Sequence, residues 1–281
     1  TNGIGYVDLM FKTDSIAPEQ IPYLGLLKSV LGYVDTENYT YGELFNEINA
    51  NTGGINCGVE VFDRADSTEE FQAMFSVRGK ALYTKMDFLF KMIGEILNSS
   101  KLEDTKRLYE IVASVKSRAQ VNLTGAGHST AVLRAAAYSS PMAAFQDEMA
   151  GIGYYQFIEK LEKDFEQRKE ETVEELCKLM KKILRPENFM ISYTGERESL
   201  ETVQKLAGAV KAGLGTEPVE KSEEKLTCTK KNEGFKTSGQ VQYVAQTGNF
   251  KKKGLEYTGA LEILKVILSY DYLWMNLRVE G

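Results

Sequence analysis

Short apolar runs rich in β-branched and aromatic residues predict β-strands in the long N-terminal part of the chain. Residues 3–12 are apolar on both faces and are followed by Pro18, which indicates a central strand and then a turn. Similar runs predict strands over residues 55–62, 71–79 and 189–193. We therefore expect a sheet assembled from distant parts of the sequence.

Apolar residues at helical spacing predict helices between these strands. Residues 19–33 place Leu24, Leu27 and Leu31 on one face, with Pro22 in the first turn, where a missing N–H costs little. A second short helix is predicted over residues 41–49. It leads into Thr52-Gly53-Gly54, where the paired glycines tolerate the positive φ of a turn.

Residues 82–184 have an almost wholly helical pattern, and one more helix is predicted over 200–210. The segment ends at Pro186. The apolar stripes in it are Leu108, Ile111, Val112, Val115 and Ala119; Met142, Phe145, Met149 and Ile152; and Leu176, Leu179, Met180 and Ile183. The fold class predicted from strands and helices together is α/β (α+β).

A change of composition divides the chain. Residues 1–212 form the first predicted domain, and residues 213–237, dominated by Lys, Glu, Gly and Thr, are predicted to be an interdomain linker, because they cannot bury enough apolar surface. Residues 238–281 begin a second unit with a strand at 240–245 and a buried helix at 255–274. The chain begins at Thr1 without an initiator Met and stops directly after this apolar run, so we expect it to be a piece of a longer protein.

Net charge and the most apolar stretch exclude two classes of partner. The net charge is −6, from 34 basic and 40 acidic residues, whereas nucleic-acid binding relies on Lys and Arg replacing counterions. Four charged residues interrupt residues 255–274, where a membrane span needs about 20 nearly uncharged residues. We therefore predict neither a nucleic acid nor a membrane as partner.

The cysteines indicate a reducing compartment. Cys57, Cys177 and Cys228 are odd in number and far apart, which is typical of free thiols and not of a disulfide framework. The protein is predicted to be intracellular, and cytoplasmic if no targeting segment precedes this chain.

Candidate catalytic chemistry is scarce, since His128 is the single histidine of the chain. In Gly125-Ala126-Gly127-His128-Ser129 it could act as a general base or a lone ligand, but a zinc site needs at least three protein ligands. A structural role at the start of a helix is the favoured interpretation. The acidic run at 159–175 alternates Glu and Lys at helical spacing and is interpreted as a solvated helix face.

Several stretches resemble the carboxy-terminal half of the presequence-protease branch of the pitrilysin/insulinase superfamily of zinc peptidases. They are residues 1–11 (TNGIGYVDLMF), 22–54 with its Asn-Thr-Gly-Gly-Ile, 139–162, and 249–281 (NFKKKGLEYTGALEILKVILSYDYLWMNLRVEG). The resemblance implies a pitrilysin-like domain with a mixed β-sheet packed with many helices, then the linker and a truncated second domain of similar fold. In this family, two such halves close around an unfolded peptide.

The resemblance also locates a degenerate metal site. The family's zinc motif is an inverted His-x-x-Glu-His, with both histidines on one helix face and the Glu as general base. The equivalent positions here are Gly25, Lys28 and Ser29, so neither histidine is kept and the base is replaced by a cation. The resemblance therefore implies no metal in this chain, and zinc bound by the absent N-terminal half.

A substrate contact is implied near the C-terminus. Arg278-Val279-Glu280-Gly281 resembles the start of the family's Arg-x-x-Gly-Gly-Ala-Tyr-Gly segment, whose Arg reaches the substrate near the zinc and is suited to steadying a developing oxyanion. The predicted partners are a peptide substrate and the N-terminal half of the same polypeptide, and the chain alone is expected to be inactive.

Two other classes of function stay open at this point. The chain could belong to a non-catalytic scaffold subunit of the same superfold, or it could be an independent peptide-binding module. An intact His-x-x-Glu-His upstream, with a Glu about 70 to 80 residues further on, would distinguish the peptidase from both.

Overall fold

The computed structural model describes residues 2–237 and 240–280. Thr1, Ser238, Gly239 and Gly281, which belong to the predicted segments 1–11, 238–281 and 278–281, lie outside the described residues. The chain divides into two compact units, Thr1–Gln246 and Thr247–Gly281, and each is described by itself.

The first unit contains a four-stranded sheet with the order β2-β3-β1-β4. The strands are β1 (Ile4–Lys12), β2 (Ile55–Asp63), β3 (Phe71–Leu82) and β4 (Phe189–Thr194). All three pairings between described strands are antiparallel, so the sheet is antiparallel where a mixed sheet was expected. The α/β (α+β) class and the strands predicted from the apolar runs are confirmed.

Strand β1 lies at the centre of the sheet because both of its neighbours come from far along the chain. Leu9 pairs with Val77 of β3 on one side and with Ile191 of β4 on the other. Val7, Leu9 and Phe11 alternate along the strand and are buried on the face covered by helices. The apolar run at residues 3–12 is therefore a central strand, as predicted.

Helices form the rest of the first unit, and the long helical segment predicted at 82–184 is confirmed. They are α1 (Ile21–Val30), α2 (Tyr41–Asn51), α3 (Met86–Ser99), α4 (Thr105–Gly125), α5 (Gly127–Ala137), α6 (Pro141–Ala150), α7 (Ile152–Lys163), α8 (Phe165–Ile183) and α9 (Leu200–Ala212).

Helix α1 is shorter than the predicted 19–33. A 3-10 turn, Pro18–Gln20, precedes it, and Leu31 leaves the helical conformation with ψ 129°. Gly32 then adopts φ +85°, a conformation that is open to glycine and costly for other residues. The helix is therefore limited by the turn geometry at each end, although its apolar spacing continues beyond them.

Residues 213–246 belong to the first unit and pack against it without regular structure. The Arg185 guanidinium donates to the Glu217 carbonyl at 2.6 Å, and the Ser222 amide donates to the Ser15 carbonyl at 3.1 Å. The strand predicted at 240–245 is wrong, since these described residues pair with no strand. Val244 is 86% exposed, so its alternating pattern has no apolar layer to face. That residues 213–237 connect two domains stays a prediction.

The second unit consists of a 3-10 turn (Lys251–Lys253), α10 (Gly259–Ile267) and a π-helical segment (Leu268–Val279). The prediction of a buried helix over 255–274 is wrong for this unit, because its large apolar side chains are exposed, Trp274 at 57%. The unit contains no second layer in its described residues that could cover them. None of the helices described in the chain combines the length and apolar character that crossing a bilayer requires.

Cys57 lies on edge strand β2, paired opposite Val77, and packs against the core. Burial raises the pKa of its thiol to about 12, far above the ordinary value of about 8.5. We expect iodoacetamide at pH 8.5 to alkylate Cys57 only as fast as the chain unfolds, because the thiolate is the reactive form.

The rate is measured by mass spectrometry of the Cys57 peptide with increasing urea. The pKa of Cys177 is also raised by burial, but less far, so Cys177 should react earlier in the series. Equal rates for the two thiols in the folded chain would contradict this ordering.

Candidate functional site

Helix α1 occupies the middle of the helical layer and leaves one short part of its surface within reach of solvent. It contacts β2 as well as α4, α6, α7 and α8. All of its residues are buried except Lys28 and Ser29, which are partly exposed. The positions expected to be the degenerate zinc motif are therefore next to the outer surface of this helix.

Gly25 is packed too tightly to be replaced by a residue with a side chain. A Cβ atom at this position would lie 2.6 Å from the Met149 carbonyl oxygen and 2.7 Å from Cε2 of Tyr154. Both distances are well inside van der Waals contact, and the carbonyl belongs to backbone that cannot simply rotate away. An imidazole therefore has no space here unless α6 and α7 move away from α1.

Lys28 is a cation without an acidic neighbour. Burial lowers the pKa of its ammonium group, and no carboxylate contributes to the shift. Burial disfavours the charged form of a lysine, and a nearby acid would oppose this effect. The side chain thus places an uncompensated positive charge at the position that the resemblance assigns to a catalytic Glu.

Tyr154, at the start of α7, covers this part of α1. Its side chain is 5% exposed, and its hydroxyl has no hydrogen-bond partner among the described residues. Burial raises the pKa of Tyr154, while Arg118 on α4 and the nearby Ser29 hydroxyl act to lower it. The Ser29 hydroxyl itself donates back to the Gly25 carbonyl at 3.5 Å. Tyr154 therefore presents a buried, unused donor beside Ser29.

These residues do not fit a zinc ion. Gly25 has no ligand atom, Lys28 repels a divalent cation, and a neutral serine hydroxyl is not among the usual zinc ligands. In residues 2–237 and 240–280, no three His, Cys, Asp or Glu side chains lie where they could hold a metal ion together. The packing around Gly25 adds a steric reason to the chemical one.

A second polar arrangement was not found by sequence reasoning. Asp147 of α6 is 1% exposed and accepts hydrogen bonds from the Ile152 and Gly153 amides at 3.0 and 3.2 Å, which caps α7. It also accepts a bond of 2.5 Å from Arg134 of α5. The one sequence signal was an Asp shortly before a helix start.

Arg134 connects this buried carboxylate to residues 213–237. It donates at 2.7 Å to Glu233, which also accepts a hydrogen bond from the Tyr138 hydroxyl, and the Phe235 ring lies 5.6 Å from its guanidinium. Burial acts to lower the pKa of Arg134, but hydrogen bonds to Glu233 and Asp147 outweigh it and raise the pKa. Arg134 therefore holds the Glu233 segment against α5.

The other predicted residues lie apart from this region or in the second unit. His128 is exposed in the first turn of α5, 6.4 Å from the Tyr243 ring, in keeping with a role at a helix start. Arg278 is exposed near the end of the π-helical segment. At the predicted turn, Gly54 adopts φ +104° and donates its amide to the Thr52 hydroxyl.

The chain belongs to the peptidase M-16C associated family, whose model matches residues 1–161. The resemblance to the presequence-protease branch is thereby confirmed at the level of the family.

Two relatives align with the whole chain. Protein HypA of Clostridium perfringens (strain 13 / Type A) is 36% identical over 281 residues, which are 29% of its length. Presequence protease 1, chloroplastic/mitochondrial, of Arabidopsis thaliana is 26% identical over 285 residues, or 26% of its length. The mitochondrial presequence protease of Yarrowia lipolytica matches at 26% identity. The chain thus spans less than a third of the length of these relatives.

We expect Gly25→Ala to lower the free energy of unfolding by about 1–3 kcal/mol, because the added methyl overpacks the contact with Met149 and Tyr154. The matched control is Gly94→Ala in α3, where a Cβ meets nothing within 4 Å. The control should gain up to about 1 kcal/mol from helix propensity. Urea denaturation of both variants measures the difference, and equal effects would contradict the tight packing.

We expect Glu233→Gln to loosen the segment around Phe235 and to speed cleavage after Phe235 by chymotrypsin. The hydrogen bond from Arg134 lowers the pKa of Glu233, so the attachment is complete above about pH 4.3 and is lost as the pH falls through the lowered pKa. Glu224→Gln, an exposed change in the same segment, is the control. Equal cleavage of both variants, after correction with synthetic peptides of residues 229–240, would sink the idea.

Proposed function

We propose that this chain is a metal-free segment of a zinc metalloendopeptidase, in which it forms part of the wall that encloses short unfolded peptides. The supporting observation is the packing of Gly25, which leaves no space for a zinc-binding histidine in a chain whose relatives include proteins named presequence proteases. The proposal assigns zinc, general base and attacking water to a part of the parent protein outside this chain.

The proposed partners follow from that assignment. The peptide substrate and the N-terminal half of the parent would meet the outer surface of this segment, and Arg278 is proposed to reach the substrate. Its exposed guanidinium can donate several hydrogen bonds to an oxyanion that develops during hydrolysis.

An intracellular location is part of the proposal. The names of three relatives place those proteins in mitochondria or in chloroplasts and mitochondria. A cytoplasmic location is one alternative within the proposal, and fractionation of cells that express the parent distinguishes them.

The test compares this chain alone with the full-length parent, using zinc content and cleavage of a quenched fluorescent peptide. We expect the chain alone to bind no stoichiometric zinc and to cleave nothing. In the parent, Arg278→Ala should lower kcat/KM by about a hundredfold, the usual loss for one oxyanion donor, with zinc content unchanged. Arg197→Ala, an exposed arginine of the first unit, is the control and should have little effect.

Two outcomes overturn the proposal. Stoichiometric zinc and cleavage by the chain alone would show that the site lies within it, and attention would turn to His128. A full-length parent that binds no zinc and cleaves no peptide would favour the non-catalytic scaffold.

A further inference from the structure

Two hydrogen-bond donors beside α1 lack acceptors among the described residues. One is the Tyr154 hydroxyl, which is fully buried. The other is the Lys28 ammonium group, to which no carboxylate is near enough to contribute. Other half-buried lysines of the helical layer are compensated: Lys116 pairs with Glu162 at 2.9 Å, and Lys182 donates to the Gln20 side chain at 3.1 Å. Lys28 differs from them in having no such partner.

The two donors belong to one place in the fold. The Tyr154 ring lies against Gly25, and its hydroxyl is near the hydroxyl of Ser29, the residue next to Lys28. Lys28 and Ser29 are the partly exposed residues of α1, so Lys28 is the outer donor and Tyr154 the inner one. Arg118 of α4 acts electrostatically on Tyr154 and adds a second positive charge.

This arrangement is rich in donors and poor in acceptors. A buried donor without an acceptor is costly, and an ionised acceptor forms shorter and stronger hydrogen bonds than a neutral one. A carboxylate has two oxygens that accept hydrogen bonds and donates none when ionised. It would satisfy both donors and neutralise Lys28, whereas a metal cation or an amine would be repelled.

We propose that Lys28, Ser29 and Tyr154 form a binding subsite for a carboxylate of a peptide, either its C-terminal group or an Asp or Glu side chain. The identification of the ligand as a peptide rests on the proposed function, while the preference for an anion rests on the donors alone. The position that a metal-dependent relative would use for zinc thus binds the opposite charge.

The test measures binding of three N-acetylated pentapeptides to the 281-residue chain by titration of backbone amide NMR shifts at Lys28 and Ser29. The first is pentaalanine with a free carboxylate, the second its C-terminal amide, and the third an amide with a central Glu. We expect the first, the third or both to bind, and the simple amide to bind about tenfold more weakly, as for loss of one charged hydrogen bond.

Two variants and one control identify the residues responsible. Lys28→Met should weaken carboxylate binding about tenfold, whereas Lys116→Met, which removes a half-buried lysine already paired with Glu162, should leave it unchanged. Tyr154→Phe keeps the ring against Gly25 and removes only the unused hydroxyl. It should weaken binding and, because the free hydroxyl has no partner, raise the Tm of the unliganded chain.

Three results overturn the subsite. They are equal binding of acid and amide peptides, tighter binding of inorganic phosphate than of any peptide, and a lowered Tm for Tyr154→Phe, which would show that the hydroxyl already has an internal acceptor. The assay needs neither zinc nor hydrolysis, so its failure is distinguishable from failure of the proposed peptidase function.

Discussion

The close contact of α1 with the Met149 carbonyl and the Tyr154 ring, made possible by Gly25, is the constraint on which the rest of the first unit depends. Helix α1 touches strand β2 and helices on several sides, so its distance from α6 and α7 decides how the whole helical layer lies on the sheet. A glycine at this point allows backbone to approach backbone, and in doing so it removes a ligand position. Tight packing and loss of metal chemistry have the same cause.

Two polar arrangements in the helical layer differ in how completely their hydrogen bonds are made. Asp147 accepts from two backbone amides and from Arg134, whose other donor is used by Glu233. Such a satisfied group fixes a unique structure. At Lys28 and Tyr154, donors outnumber acceptors, and the surplus is more informative about a ligand than about the fold.

Local pattern was sufficient where each element has an apolar partner within the chain. The alternation in β1 and the stripes of the long helical segment predicted their elements, because burial in the first unit follows periodicity. The same reasoning failed at residues 240–245 and 255–274, whose apolar side chains have no layer to face. The resemblance located Gly25, Lys28 and Ser29. Tyr154 and the Arg134–Glu233 contact were missed, because their partners are distant in sequence and no local pattern announces them.

The position of β1 at the centre of the sheet has a consequence for the order of folding. Its partner on one side, β3, follows within the first part of the chain, but β4 begins only at Phe189, beyond the long helical segment. Closing so large a loop is entropically costly, and non-local pairing of this kind slows folding. During synthesis at roughly 5–20 residues per second, one edge of β1 waits on the order of ten seconds for its neighbour. The helices, which need only local contacts, have that interval in which to form.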